Sequence, residues 1–132
     1  MIGSLMIIDD NAVDQKLYSR IIRKSGLVKD LHCFLMATDA MEFLGSPKRP
    51  DIDIILLDIN MPRMNGFEFL DAAVAAFGPD FVKAAVIMLT TSISDEDRKR
   101  ASGYDVVRDY IQKPLDMAHL EEMDRMLSAR AF

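Results

Sequence analysis

The sequence predicts an α/β domain, a doubly wound three-layer sandwich in which a five-stranded parallel sheet lies between two layers of helices. Three observations point there. Short apolar runs alternate with amphipathic stretches five times along 132 residues, and strand-then-helix units of that kind fold back into parallel register. The runs are continuously apolar rather than alternating, the form taken by strands covered on both faces. The length suits one domain with a substantial core.

Leu5-Met6-Ile7-Ile8 is the first run. Val13, Leu17, Ile21 and Ile22 follow at helical intervals, and Gly26 stands where a left-handed C′ residue would close that helix. Residues 31–35 form the second candidate strand, and 40–44 a short helix ending at Gly45. The segment Gly45-Ser46-Pro47-Lys48-Arg49-Pro50 reads as a surface loop, since two prolines within four residues resist both helix and sheet ladder. Ile54-Ile55-Leu56-Leu57 is the best candidate for a central strand. After the Met61-Pro62-Arg63-Met64-Asn65-Gly66 loop, Phe67, Leu70, Val74 and Phe77 repeat at helix spacing, with Gly78-Pro79 as the stop. Residues 84–89 give a fourth strand. Ser94-Asp95-Glu96-Asp97 opens a fourth helix over 95–102 with a capping-box pattern. That helix has almost no apolar stripe, so weak anchoring is expected. A weaker fifth strand covers 109–112, and Asp116 caps a last helix with the stripe Leu120, Met123 and Leu127.

Composition excludes several classes of function. No apolar run approaches the roughly 18 to 20 residues that span a bilayer, and the start, MIGSLMIIDDNAVD, lacks the basic region of an export signal. A cytoplasmic location without membrane contact is expected. The single cysteine, Cys33, excludes an internal disulfide and is read as a small buried apolar residue. The net charge is −5, and the longest basic run, Arg98-Lys99-Arg100, directly follows Asp95-Glu96-Asp97. That is a charge-polarised helix, not a track for a phosphate backbone, and no nucleic-acid partner is expected.

In a doubly wound sheet the ligand site lies beyond the carboxyl ends of the strands. Chemically capable residues stand at four of these ends: Asp9-Asp10 after the first strand, Asp58 after the third, Thr90 after the fourth and Lys113 after the fifth. Each alone has an ordinary explanation as a cap, a turn residue or a strand former. Neither His32 nor His119 falls at a strand end, so no nucleophile–histidine–acid set arises. Three neighbouring carboxylates must share protons or hold a cation, and a donor set of oxygens suits a hard divalent ion, Mg²⁺ being the abundant one. Lys113 would balance one phosphoryl oxygen and the Thr90 hydroxyl would bond another. Phosphoryl transfer needs mainly positioning and charge neutralisation, and an aligned carboxylate is a competent nucleophile. The combination reads as a phosphoryl acceptor site centred on Asp58.

On these residues the sequence resembles the receiver domain of two-component response regulators, in Met6-Ile7-Ile8-Asp9-Asp10-Asn11, Ile54 through Pro62 with Gly66, Val86-Ile87-Met88-Leu89-Thr90, and Tyr110-Ile111-Gln112-Lys113-Pro114. The likeness runs over nearly the whole chain. It implies a flavodoxin-like sheet of order 2-1-3-4-5 and Asp58 as phosphoacceptor. It implies a Mg²⁺ site of Asp9, Asp10, Asp58 and the backbone carbonyl of Asn60, with Lys113 and Thr90 on the phosphoryl group. It also implies a cis Lys113-Pro114 peptide, structural roles for Pro62, Gly66 and Pro114, and a switch in which Thr90 and Tyr110 move together. The face made by the fourth helix, fifth strand and fifth helix would then change its affinity for a downstream protein. Asn60 and Ser92 occupy positions that tune removal of the phosphoryl group by water. Thr91 departs from the usual smaller Ala or Gly, which narrows access. The donor would be a histidine kinase or histidine phosphotransfer protein. With the chain ending at Phe132, the expectation is a single receiver domain over 1–132 with no output domain, no enzyme beyond catalysing its own phosphorylation and dephosphorylation. Two other readings compete. One is a phosphorylation-independent interaction module, although the acids and the lysine that such modules lose are all present. The other is a flavodoxin-type cofactor binder, which would want a Ser/Thr/Gly-rich loop where this chain has Asp-Asp-Asn-Ala-Val-Asp.

Overall fold

The computed structural model describes residues 1–91 and 94–132. Among them, β1 (Ile2–Ile8), β2 (Val28–Phe34), β3 (Ile54–Asp58), β4 (Ala85–Thr90) and β5 (Val107–Gln112) alternate with α1 (Ala12–Ser25), α2 (Ala37–Leu44), α3 (Gly66–Phe77), α4 (Asp95–Ala101) and α5 (Met117–Ser128). A 3₁₀ turn, Pro79–Phe81, precedes β4. The strands pair in parallel in the order β2-β1-β3-β4-β5, as expected.

The apolar runs are continuous because the strands divide their side chains between two cores. Leu5, Ile7, Ile54, Leu56, Ala85, Ile87 and Leu89 face one layer, where Tyr18 and Ile22 of α1 and Leu120 and Met123 of α5 cover them. Met6, Ile8, Ile55, Leu57, Val86 and Met88 face the other, under Ala40 and Leu44 of α2 and Phe69, Leu70 and Ala73 of α3. Full burial of one such side chain contributes roughly 1.5–3 kcal/mol, so the central strands have no position that tolerates water.

Boundaries and faces differ from the sequence reading in places. β2 begins three residues earlier than 31, and α2 begins at Ala37 rather than 40, since backbone pairing and helical bonding extend beyond the apolar residues that mark them. Val13 and Leu17 do not form the buried stripe of α1, being 76% and 46% exposed; Gln15, Tyr18 and Ile22 do. Gln15 turns the helix this way, because its Nε2 donates to the carbonyls of Ile7 (3.3 Å), Asp9 (3.2 Å) and Phe34 (2.8 Å). Three main-chain acceptors at the ends of β1 and β2 would otherwise lose this donor. Cys33 is exposed, not buried: it lies on the edge strand β2, where its Sγ stands 3.3 Å from Ser19 Oγ. Val74 is also exposed.

Side-chain caps set the helix starts. Asn11 accepts from the Asp14 N–H, Asn65 forms a capping box with Glu68, Ser94 accepts from Asp97 and Asp116 pairs reciprocally with His119. The last contact gives His119 a structural role at the start of α5. α4 is held thinly. Ala101 is its buried residue, and polar anchors do the rest: the Arg100 guanidinium lies 4.5 Å from the Phe67 ring centre and Tyr110 Oη donates to the Arg98 carbonyl at 3.3 Å.

Candidate functional site

The chain direction across the sheet reverses between β1 and β3, since β2 lies outside β1 and β4 and β5 lie beyond β3. This is the switch point at which doubly wound sheets open a crevice, and Asp9, Asp10 and Asp58 converge there. One carboxylate oxygen of each can lie within 4.8 Å of the others. Asp9 is fully buried, Asp58 is 5% exposed and Asp10 reaches solvent. The site is therefore a shallow depression with two acids in its floor and one on its rim.

Asp58 ends β3, pairing with Leu89 across the sheet, and Thr90 follows as the last residue of β4. Its Oδ1 accepts the Asn60 N–H at 3.3 Å. Burial, then the neighbouring Asp9, push the Asp58 carboxyl up to about 7, while Lys113 and the Asn60 N–H pull it down. The Lys113 amide bonds to the Thr90 carbonyl at 2.8 Å, which fixes the end of β5 against β4. Its Nζ lies 2.7 Å from Asp9 Oδ2, 3.3 Å from Asp14 Oδ2 and 3.9 Å from Asp58 Oδ2. Burial opposes the charge on Lys113, but the three carboxylates outweigh it and hold the ammonium above its usual range. The Lys113-Pro114 peptide is cis.

Gly66 closes the site from below. Its N–H donates to the Ile59 carbonyl at 2.9 Å, and a Cβ there would fall 2.6 Å from the Asp58 carbonyl oxygen and 3.1 Å from Ile59 Cα. Both obstacles are backbone, of Asp58 and its neighbour Ile59. Gly66→Ala is expected to cost about 1–3 kcal/mol, read as a lower urea midpoint with unchanged slope.

The donor set fits a hard divalent cation. One ammonium faces four carboxylates, Asp9, Asp10, Asp14 and Asp58, and Asp58 holds its proton more tightly than usual first because it is buried and then because Asp9 lies beside it. Oxygen donors of this kind select Mg²⁺ or a similar ion over softer metals. The pH dependence has a definite sign. A carboxyl raised from near 4 to about 7 binds its proton more tightly in the folded state, so metal-free stability falls as pH rises from about 4 to 7. Cation binding requires that proton to leave. The rise in Tm with Mg²⁺ should therefore grow between pH 6 and 8, and at ten times Kd should correspond to about 1.4 kcal/mol. A Mg²⁺ effect independent of pH over that interval would contradict this.

The structure brings together the sequence-predicted Asp9, Asp10, Asp58 and Lys113, with the Asn60 backbone bonded to Asp58. Thr90 is fully buried at the end of β4. Tyr110 is half-buried on β5, its ring 5.5 Å from the Arg98 guanidinium and its hydroxyl tied to α4. Thr91 is exposed. Ser92 lies outside the described residues. Two residues escaped the sequence reading: Gln15, a polar side chain inside an apolar stripe, and Asp14, which reads as an ordinary acid in the first turn of a helix.

With five parallel strands in this order and an acidic cluster at the switch point, the class is that of a signalling receiver. The chain belongs to the response regulator receiver domain family, whose description matches residues 5–125. It is similar to the heme response regulator HssR of Staphylococcus epidermidis, with 32% identity over 122 residues, 91% of this chain and 48% of that protein. It is also similar to hybrid signal transduction histidine kinase L of Dictyostelium discoideum, 27% identical over 127 residues, 93% of this chain and 7% of the kinase. The chain thus spans from under a tenth to about half of these relatives. Among solved structures, a two-component response regulator from Cytophaga hutchinsonii superposes with a TM-score of 0.82 at 30% identity, covering 96% of this chain and 98% of that one. Among the described residues, no helix is long and apolar enough to cross a membrane.

Proposed function

We propose that the chain is a phosphorylation switch of a two-component or phosphorelay system, with Asp58 as acceptor. The observation that carries this reading is the convergence of Asp9, Asp10, Asp58 and Lys113 from three strand ends on one point at the rim of the sheet. In the proposed step an Asp58 carboxylate oxygen attacks phosphorus on a phosphohistidine of a kinase or phosphotransfer protein. An O–P bond forms as the N–P bond breaks, and the leaving imidazole takes up a proton. A divalent cation such as Mg²⁺, held by Asp9, Asp10, Asp58 and the Asn60 carbonyl, supplies charge neutralisation for the transferring group when bound. Asp9 and Lys113 orient the site, and the Asn60 N–H holds Asp58 with one oxygen directed away from the backbone.

The chain's own catalysis is confined to gaining and losing this group. Asn60 and Ser92 set how readily water removes it. Output runs through protein contact in the cytoplasm, on the face of α4, β5 and α5. Support for that face comes from α4, which among the described residues buries one alanine and is tied to the domain by Arg100 on Phe67, Arg98 on Tyr110 and the Tyr110–Arg98 hydrogen bond. Drawing Thr90 toward a phosphoryl group would open space behind it for Tyr110, and Tyr110 cannot turn inward without releasing Arg98.

The test is incubation with acetyl phosphate and Mg²⁺ followed by intact-mass measurement, with a gain of about 80 Da expected. No gain in the presence of Mg²⁺, with the protein folded, would overturn the proposal.

A further inference from the structure

Lys113 is more fully occupied than its proposed task requires. An ammonium has three N–H donors, and three carboxylates lie within 4.0 Å of it: Asp9, Asp14 and Asp58. Of the three, Asp9 and Asp14 stand within hydrogen-bond reach and Asp58 at 3.9 Å does not, so the ammonium must move toward a phosphoryl oxygen on Asp58 and away from one of the other two. Asp9 is closest, at 2.7 Å, and its side chain is wholly buried. Asp58 is the acceptor itself. Asp14 is the most accessible of the three, with its side chain 28% exposed against 0% and 7% for the others, so it loses least when water replaces the lysine. It stands in the first turn of α1 on a backbone fixed by the Asn11 cap, 99 residues from Lys113.

We infer that Asp14 is a positioning residue that holds Lys113 in place before phosphorylation and competes with the phosphoryl group for it. The inference rests on Asp58 being the acceptor and goes further, to a carboxylate that opposes the phosphorylated state. When the phosphoryl oxygen takes one donor of Lys113, Asp14 gives it up and turns to solvent. Asp14 thus sets how much of the lysine's attraction reaches the phosphoryl group, without touching that group.

The experiment measures beryllofluoride affinity in saturating Mg²⁺ by Tyr or extrinsic fluorescence, for wild type, Asp14→Asn, Asp14→Ala and Asp14→Glu. An equivalent neutralisation elsewhere on the same rim, Asp39→Asn in the first turn of α2, serves as control. Asp14→Asn and Asp14→Ala should bind roughly three- to tenfold more tightly, the range an accessible ion pair of this kind supports. Asp14→Glu should stay near wild type, because it retains the charge. Asp39→Asn should change affinity less than about twofold, since its charge acts only at long range. A purely structural Asp14, which favours the N-terminus of α1, would move thermal stability and leave affinity unchanged or weaker. Equal gains for Asp14→Asn and Asp39→Asn would also overturn the inference, by assigning the effect to net charge. No beryllofluoride binding by wild type is a different failure, that of the acceptor site itself, and it removes the inference's foundation.

Discussion

Substituting Asp58→Asn should eliminate the mass gain of about 80 Da expected of wild type with acetyl phosphate and Mg²⁺, because the amide oxygen is not a competent nucleophile. The same variant should be more stable than wild type in the absence of metal. Ionised Asp58 is buried beside Asp9, which is why its carboxyl titrates near 7. Asn keeps the shape and cannot ionise. Its advantage should be close to zero at about pH 3, where Asp58 is largely protonated in both folded and unfolded chains. It should grow to about 1–3 kcal/mol by pH 8, allowing for solvent screening. Denaturant titrations in EDTA at the two pH values measure it. An advantage that shrinks as pH rises would mean that Lys113 already compensates Asp58 in full.

The second large effect is expected at Lys113. Its ammonium is the nearest cation to two buried carboxylates. Lys113→Met removes it and leaves Asp9 charged and enclosed. Loss of one partner from a buried pair costs about 3–5 kcal/mol, which for a chain of 132 residues is a fall in Tm of roughly 10–20 °C. Millimolar Mg²⁺ should restore part of that loss, since a cation relieves the same excess charge. Beryllofluoride affinity, measured in that Mg²⁺, should fall by at least about tenfold. Wild-type stability of Lys113→Met in EDTA would show that Asp9 is compensated by something other than the lysine.

The positions of the candidate site were legible in the sequence for a geometric reason. A continuous apolar run announces where a buried parallel strand ends, and the residue after that end must lie on the active rim. Asp9, Asp58, Thr90 and Lys113 are all placed by that rule. Helix orientation is not legible in the same way. Counting apolar residues puts Val13 and Leu17 inward, yet Gln15 is buried instead, its amide donating among the carbonyls of Ile7, Asp9 and Phe34. Those carbonyls come together only once the two strands are side by side. Asp14 was missed for a related reason: its partner is at the far end of the chain, and nothing local separates an acid that balances a helix dipole from one that also holds a lysine. Cys33 shows the edge effect, as a small apolar residue expected inside lies exposed on the outermost strand, against the polar Ser19 of α1.

The account depends most on where the phosphoryl group goes. Reducing the acetyl phosphate-treated protein with borohydride converts a phosphorylated aspartate to homoserine, and proteolysis with tandem mass spectrometry then locates the change. The account predicts homoserine at residue 58 in the wild type, only when Mg²⁺ is present. Homoserine at residue 9 or 10, or at residue 58 equally in EDTA, would contradict it.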